Sequence, residues 1–174
     1  MGLYPENLNW NTKKIESAVA GVKATSVVGV AVPIDWSAIQ SRKRGQFNQR
    51  KLDFFTALLK ELHEQQLEIR VVLGGKPHWY YRLFGQEEKQ AGIKAYVTAV
   101  LNAIEVGASG MSFVLWDEGR NKGDFGKHTA TNLALIGTTI KGDNSFSHAK
   151  LILSINTEEA LWQRVSDSLV NDDK

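Results

Sequence analysis

Four short apolar runs, residues 27–34, 69–73, 111–116 and 151–155, begin 40 to 42 residues apart. That interval holds one strand, one helix and two loops, which leaves few folds open to the chain. The runs are rich in Val, Ile, Leu and Phe with little alternation, the pattern of strands covered on both faces in a parallel sheet. Parallel neighbours need a crossover of a dozen or more residues, almost always right-handed. The intervening sequence supplies the helices. Leu52, Phe55, Leu59 and Leu62 mark one helical face, and Ile93, Tyr96, Val97, Val100, Leu101 and Ile104 mark another at three- and four-residue steps. Ile15, Ala18, Val19 and Val22 predict a shorter first helix. Residues 131–140 predict a helix weakened by Gly137, Thr138, Thr139 and Ile140. Asn156 and Glu159 form a capping pair before Leu161, Trp162, Val165 and Leu169, the buried face of a last helix.

The predicted order is a helix followed by four strand–helix units. This is an α/β fold with a parallel (βα) repeat. Its 174 residues form a single domain, and a (β/α)8 barrel runs to about 250 residues. The expected architecture is therefore a partial TIM barrel of four to five βα units, with an open flavodoxin-like sheet in a regulatory role as the other topology.

Composition narrows the function classes. Without cysteine the chain has no disulfide and no thiolate metal site. A net charge of +2 makes no demand for nucleic acid, and Arg42-Lys43-Arg44 reads as a solvated turn before Gly45. No run approaches the roughly 20 residues of a membrane helix. The N-terminus has no signal-peptide pattern, although a trimmed form would fit an extracellular or periplasmic setting. Gly74-Gly75 before Lys76 lacks the spacing of a phosphate loop, so no cofactor is implied. Asp117, Glu118, Asp124 and His128 match neither an EF-hand nor an HExxH helix, so no metal is implied either.

In α/β architectures ligands bind beyond the carboxyl ends of the strands. There the sequence places Pro33-Ile34-Asp35-Trp36, Lys76-Pro77-His78-Trp79-Tyr80-Tyr81, Trp116-Asp117-Glu118-Gly119-Arg120-Asn121 and Ser154-Ile155-Asn156. Carbohydrate sites need this mixture. A sugar ring stacks its C–H face on an aromatic, and its hydroxyls bond to Asp, Glu, His and Asn. Each residue also has a plainer reading, as a loop group closing the end of the sheet or capping a turn.

The words carry a resemblance. Residues 36–48 resemble the clan A glycoside hydrolase segment that reads W, a few residues, E-P, then G and F. Lys51-Leu52-Asp53 resembles the start of that fold's second helix, residues 67–73 its third strand, and Pro77-His78-Trp79 its Pro-and-Trp loop. Trp116-Asp117-Glu118-Gly119-Arg120-Asn121 resembles W-N-E-P-N. The similarity is to the family 39 and family 42 type of retaining β-glycosidase. Asp117 replaces that motif's asparagine, Gly119 its proline, and Gln40-Ser41 the usual Glu-Pro. The resemblance implies Glu118 as general acid/base, with Asp35, Trp36, His78, Trp79, Asp117, Asn121 and Asn156 contacting a β-linked oligosaccharide or polysaccharide. Asp117 beside Glu118 adds like-charge repulsion and raises one pKa. The clan's second carboxylate lies on its seventh strand, which has no counterpart here, so turnover would need a nucleophile supplied from elsewhere. The alternative on the same fold is a non-catalytic carbohydrate-binding or assembly module. A half barrel leaves two strand edges and an apolar inner face open, which predicts a homo-oligomer or a missing C-terminal segment.

Overall fold

The computed structural model describes residues 2–40, 45–77, 79–80, 85–104, 110–116 and 128–153. Four strands, β1 (Gly29–Asp35), β2 (Glu68–Gly74), β3 (Ser112–Val114) and β4 (Lys150–Ile152), form one parallel sheet in the order β1-β2-β3-β4. The helices are α1 (Ile15–Ala24), α2 (Trp36–Ile39), α3 (Gln49–Glu64), α4 (Gln86–Ile104) and α5 (Thr129–Lys141). Sequential order means that no switch point interrupts the sheet, which removes the flavodoxin-like alternative. The expected last helix and its Asn156–Glu159 cap lie outside the described residues.

Local chemistry accounts for the helices. The Asn48 side chain accepts the Lys51 amide at 3.2 Å and caps α3, whose buried face adds Phe54 and Leu58 to the four residues marked by periodicity. In α5, Thr138 and Thr139 turn their hydroxyls back onto the Leu135 carbonyl at 3.1 and 2.7 Å. Their polar atoms are thus satisfied within the helix, and the adjacent Gly137 is buried in its inward face. Ahead of α1, Trp10 packs edge-on against Phe54 and Phe55, with the Lys51 ammonium 4.4 Å over its ring.

The two faces of the sheet differ. Val30, Val32, Ile34, Ile69, Val71, Leu73, Phe113 and Leu115 point to the helices and are buried in one core with Val19, Phe55, Leu59, Val97 and Ile136. Most alternate positions do not share that cover: Glu68, Arg70 and Lys150 are exposed, and Ala31, Val72, Ser112 and Val114 are partly exposed, whereas Pro33 and Gly74 near the carboxyl ends are buried. Helices on one face only make this a barrel wall rather than a two-sided sheet. Two expectations change as a result. The strands are not covered on both faces, and the inner face is not uniformly apolar, because Arg70 and Ser112 interrupt runs that read as hydrophobic.

A second difference concerns the chain start. Gly2 forms a parallel bridge with Ala31, and the Leu3 amide donates to the Ala31 carbonyl at 2.9 Å. An extended segment therefore lies beside β1 on the edge away from β2. Two residues are too short for a hydrophobic run, so the sequence showed a helix first. With this bridge the chain spans five consecutive strand positions. No helix among the described residues is long and apolar enough to cross a membrane.

The β1–β2 pair runs through seven partners and ends at Asp35 opposite Gly74. One phenol from α4 locks this end. Tyr96, fully buried, donates its hydroxyl to the Ile34 carbonyl and accepts the Gly74 amide at 3.3 Å. Replacing Tyr96 with Phe removes both hydroxyl hydrogen bonds, and losing buried hydrogen bonds of this kind costs about 1–3 kcal/mol. Y96F should lower unfolding free energy by about that amount in a urea titration with an unchanged slope; a loss below about 0.5 kcal/mol would show that the clamp does not matter.

Candidate functional site

The carboxyl ends of β1 and β2 carry the one part of the predicted site that the described residues contain. Asp35 ends β1 on the inner face and is partly exposed. The chain then turns into α2, where Trp36 is fully buried. Its indole stacks on Tyr96 at 5.2 Å with planes 9° apart, and it meets Trp79 and Tyr80 edge-on at 5.5 Å each. Tyr96 in turn meets the buried Trp116, just past β3, at 6.4 Å and 85°. Aromatics from three strand exits thus join one cluster through Trp36 and Tyr96.

Trp36 is not a sugar platform in this arrangement, which corrects the sequence expectation. Both its faces and its edge are taken by protein, and its Nε1 donates to Gln40 Oε1 at 2.6 Å. Gln40 stands where the resembled segment usually has glutamate. It is 3% exposed, and its backbone carbonyl also accepts Trp79 Nε1 at 3.3 Å. A neutral amide suits this position, because its oxygen can take the indole proton without burying a charge. Trp79 remains partly exposed and is the indole at this rim able to offer surface to a ligand. Nothing in the sequence distinguished Trp36 from Trp79: each is an indole just past an apolar run.

Four further residues shape this end of the sheet. Gly75 has φ of +68°, and a Cβ there would sit 2.8 Å from Asp35 Cβ and Cγ. Only glycine allows that backbone to pass so close to the carboxylate. Gly92 on α4 plays a similar part for the ring stack, since a Cβ would lie 3.1 Å from Trp36 Cη2. Lys76 is 8% exposed, with its ammonium 4.6 Å over the Tyr80 ring, and Lys89 approaches the same ring at 5.8 Å. Asp35 and Lys76 therefore bring one charge of each sign to an otherwise aromatic rim. No group of three metal-ligating side chains occurs among the described residues.

Electrostatics at this end favour a neutral phenol. Burial pushes the Tyr96 pKa well above the usual tyrosine value, the Gly74 amide pulls it down, and the Asp35 charge pushes it up again. Above about pH 10 the unfolded chain gives up the phenol proton while the folded chain keeps it. Stability contributed by Tyr96 is complete below that pH and falls as pH rises further. Urea midpoints taken between pH 9 and 11 should decline more steeply in wild type than in Y96F. For Gly75, G75A should destabilise the fold by more than 1 kcal/mol through strain at positive φ and perturb the NMR resonances of Asp35 and Tyr96; a silent substitution would refute the close approach.

His78, Asp117, Glu118, Asn121 and Asn156 lie outside the described residues, as does Asp124, so the predicted acid/base and the other predicted polar contacts have no observed geometry. Comparison with known proteins bears on the fold. No family model matches the sequence, and no curated protein matches it. Among solved structures, the chain is similar to the crystal structure of GH5_18 from Streptomyces cattleya in complex with GlcNAc, with a TM-score of 0.64 at 14% identity. The match covers 84% of this chain and 40% of that one. The match supports a partial TIM-barrel fold for this chain, which spans less than half the length of the structure it matches.

Proposed function

We propose that this chain is a glycoside hydrolase-like protein that acts on β-linked saccharides, with Glu118 as general acid/base in the manner of the retaining family 39 and family 42 enzymes. The observation that carries the reading is the aromatic assembly of Trp36, Trp79, Tyr80 and Tyr96 beside Asp35, at the strand ends where this fold binds ligands. Trp116, two residues before Glu118 in the sequence, is buried against Tyr96 in this same cluster, which supports the reading. That the matched glycoside hydrolase was crystallised with GlcNAc makes amino sugars the first ligands to try.

In this reading Glu118 protonates the leaving oxygen and then removes a proton from water. Trp79 offers its exposed surface to a sugar ring, with His78, Asp117, Asn121 and Asn156 as hydroxyl partners. Asp35 is the one carboxylate that ends a strand among the described residues. Double displacement needs two carboxyl groups about 5–5.5 Å apart, so the reading needs a nucleophile from a further segment, a partner subunit or another carboxylate of this chain. This favours keeping a second reading, a non-catalytic carbohydrate-binding or assembly module on the same wall.

The two readings separate in one experiment. Wild type and Glu118→Gln are assayed on a β-glycoside with a poor leaving group and on an activated aryl β-glycoside, while GlcNAc oligomers and a wider glycan array report binding. The enzyme reading expects E118Q to abolish turnover of the first substrate and retain some on the second. The module reading expects no turnover by wild type. Both expect Trp79→Ala to weaken glycan binding by about 1–3 kcal/mol. Absence of both turnover and binding in wild type would sink the carbohydrate assignment and leave the fold.

A further inference from the structure

A large cleft lies away from the aromatic rim. It opens at the other end of the strands, has a volume of about 1160 Å³, and is lined by Glu68, Arg70, Ser112, His148 and Lys150 among others. β1 is seven residues long, so the two ends of the sheet are separated by roughly 20 Å.

Strand register organises this cleft. Ala31 pairs with Arg70, Arg70 with Ser112, and Ser112 with Lys150. In parallel pairing these side chains share one row on one face, which is the face without helices. The Arg70 and Lys150 Cα atoms stand two strand spacings apart, roughly 10 Å, within reach of a common group lying over Ser112. Both side chains are exposed, and neither makes an ion pair or side-chain hydrogen bond among the described residues. The Ser112 hydroxyl is turned aside toward the Ile69 carbonyl at 3.4 Å. Glu68, the acid of the cleft, sits one layer below Arg70 with its Cβ over Gly29. His148 stands in the turn before β4 and forms a wall.

We propose that this cleft binds a small polyvalent oxyanion, a compound carrying phosphate or carboxylate groups, independently of the carbohydrate site. The planar guanidinium of Arg70 can hold two oxygens of one such group, and the Lys150 ammonium can hold a third as a point charge. A concave wall concentrates the field of the two cations. The volume suits a small molecule rather than a single ion. The Gly29 and Gly110 backbones in the lining leave room for it.

The test titrates the full chain with inorganic pyrophosphate and, separately, with citrate at constant ionic strength, followed by calorimetry and amide NMR. Binding of either probe should move the Arg70, Ser112 and Lys150 resonances, and the stronger probe identifies the group preferred. R70Q and K150Q should each weaken binding about tenfold, as expected for the loss of one charge-assisted contact, while R70K falls between wild type and R70Q. K60Q removes an exposed cation of α3, paired with Glu64 at 3.8 Å, and should leave binding unchanged. Urea titration of each variant controls for folding. The proposal is overturned if wild type binds neither probe in the low millimolar range, or if K60Q weakens binding as much as R70Q. Glu118→Gln and Trp79→Ala should leave this binding intact whether or not the carbohydrate reading holds.

Discussion

The phenol of Tyr96 is the contact on which the carboxyl end of the sheet depends. A parallel ladder has no turn to terminate it, so backbone groups at the Asp35–Gly74 end of the β1–β2 pair gain from a partner outside the sheet. Tyr96 is that partner, as donor to Ile34 and acceptor from Gly74. The same ring is the floor on which Trp36 stacks and against which Trp116 packs. One helix residue thereby relates three successive strand exits, and burial that holds the phenol neutral is part of the same device.

What surrounds Tyr96 explains why the rim is rigid rather than merely hydrophobic. Gln40 receives both indole N–H groups, one on its side chain and one on its backbone, so neither Trp36 nor Trp79 can turn without losing a hydrogen bond. Gly75 and Gly92 remove the two Cβ atoms that would hold Asp35 and Trp36 away from their neighbours. The rim is held in place by residues packed behind it. The opposite end is built differently, with a charged row on an open face.

The four strands and their parallel order were legible because each apolar run is followed by a helical period long enough for a crossover, and geometry offers one common way to connect such units. Asp35, Trp36 and Trp79 were legible as strand-end residues for the same reason. The sequence could not separate Trp36 from Trp79, since burial of an indole is decided by what packs over it. Nor could it assign Tyr96, which reads as one more apolar position on α4 and differs only in a hydroxyl whose partners lie 22 and 62 residues away in the chain. Gln40 looked like a departure from a motif and serves instead as the hinge of two indoles.

By itself the sequence determined the alternation of strand and helix, hence the α/β class, because periodicity and crossover length are local properties of the chain. Tertiary structure decided which face of the sheet is covered. Runs that looked hydrophobic throughout proved one-sided once register set Arg70, Ser112 and Lys150 in a row away from the helices. It also decided that Gly2 and Leu3 extend the sheet past β1, since a two-residue bridge has no periodicity to read and exists only through the Ala31 carbonyl it meets. Register and burial are relations between distant segments, and no window along one chain contains them.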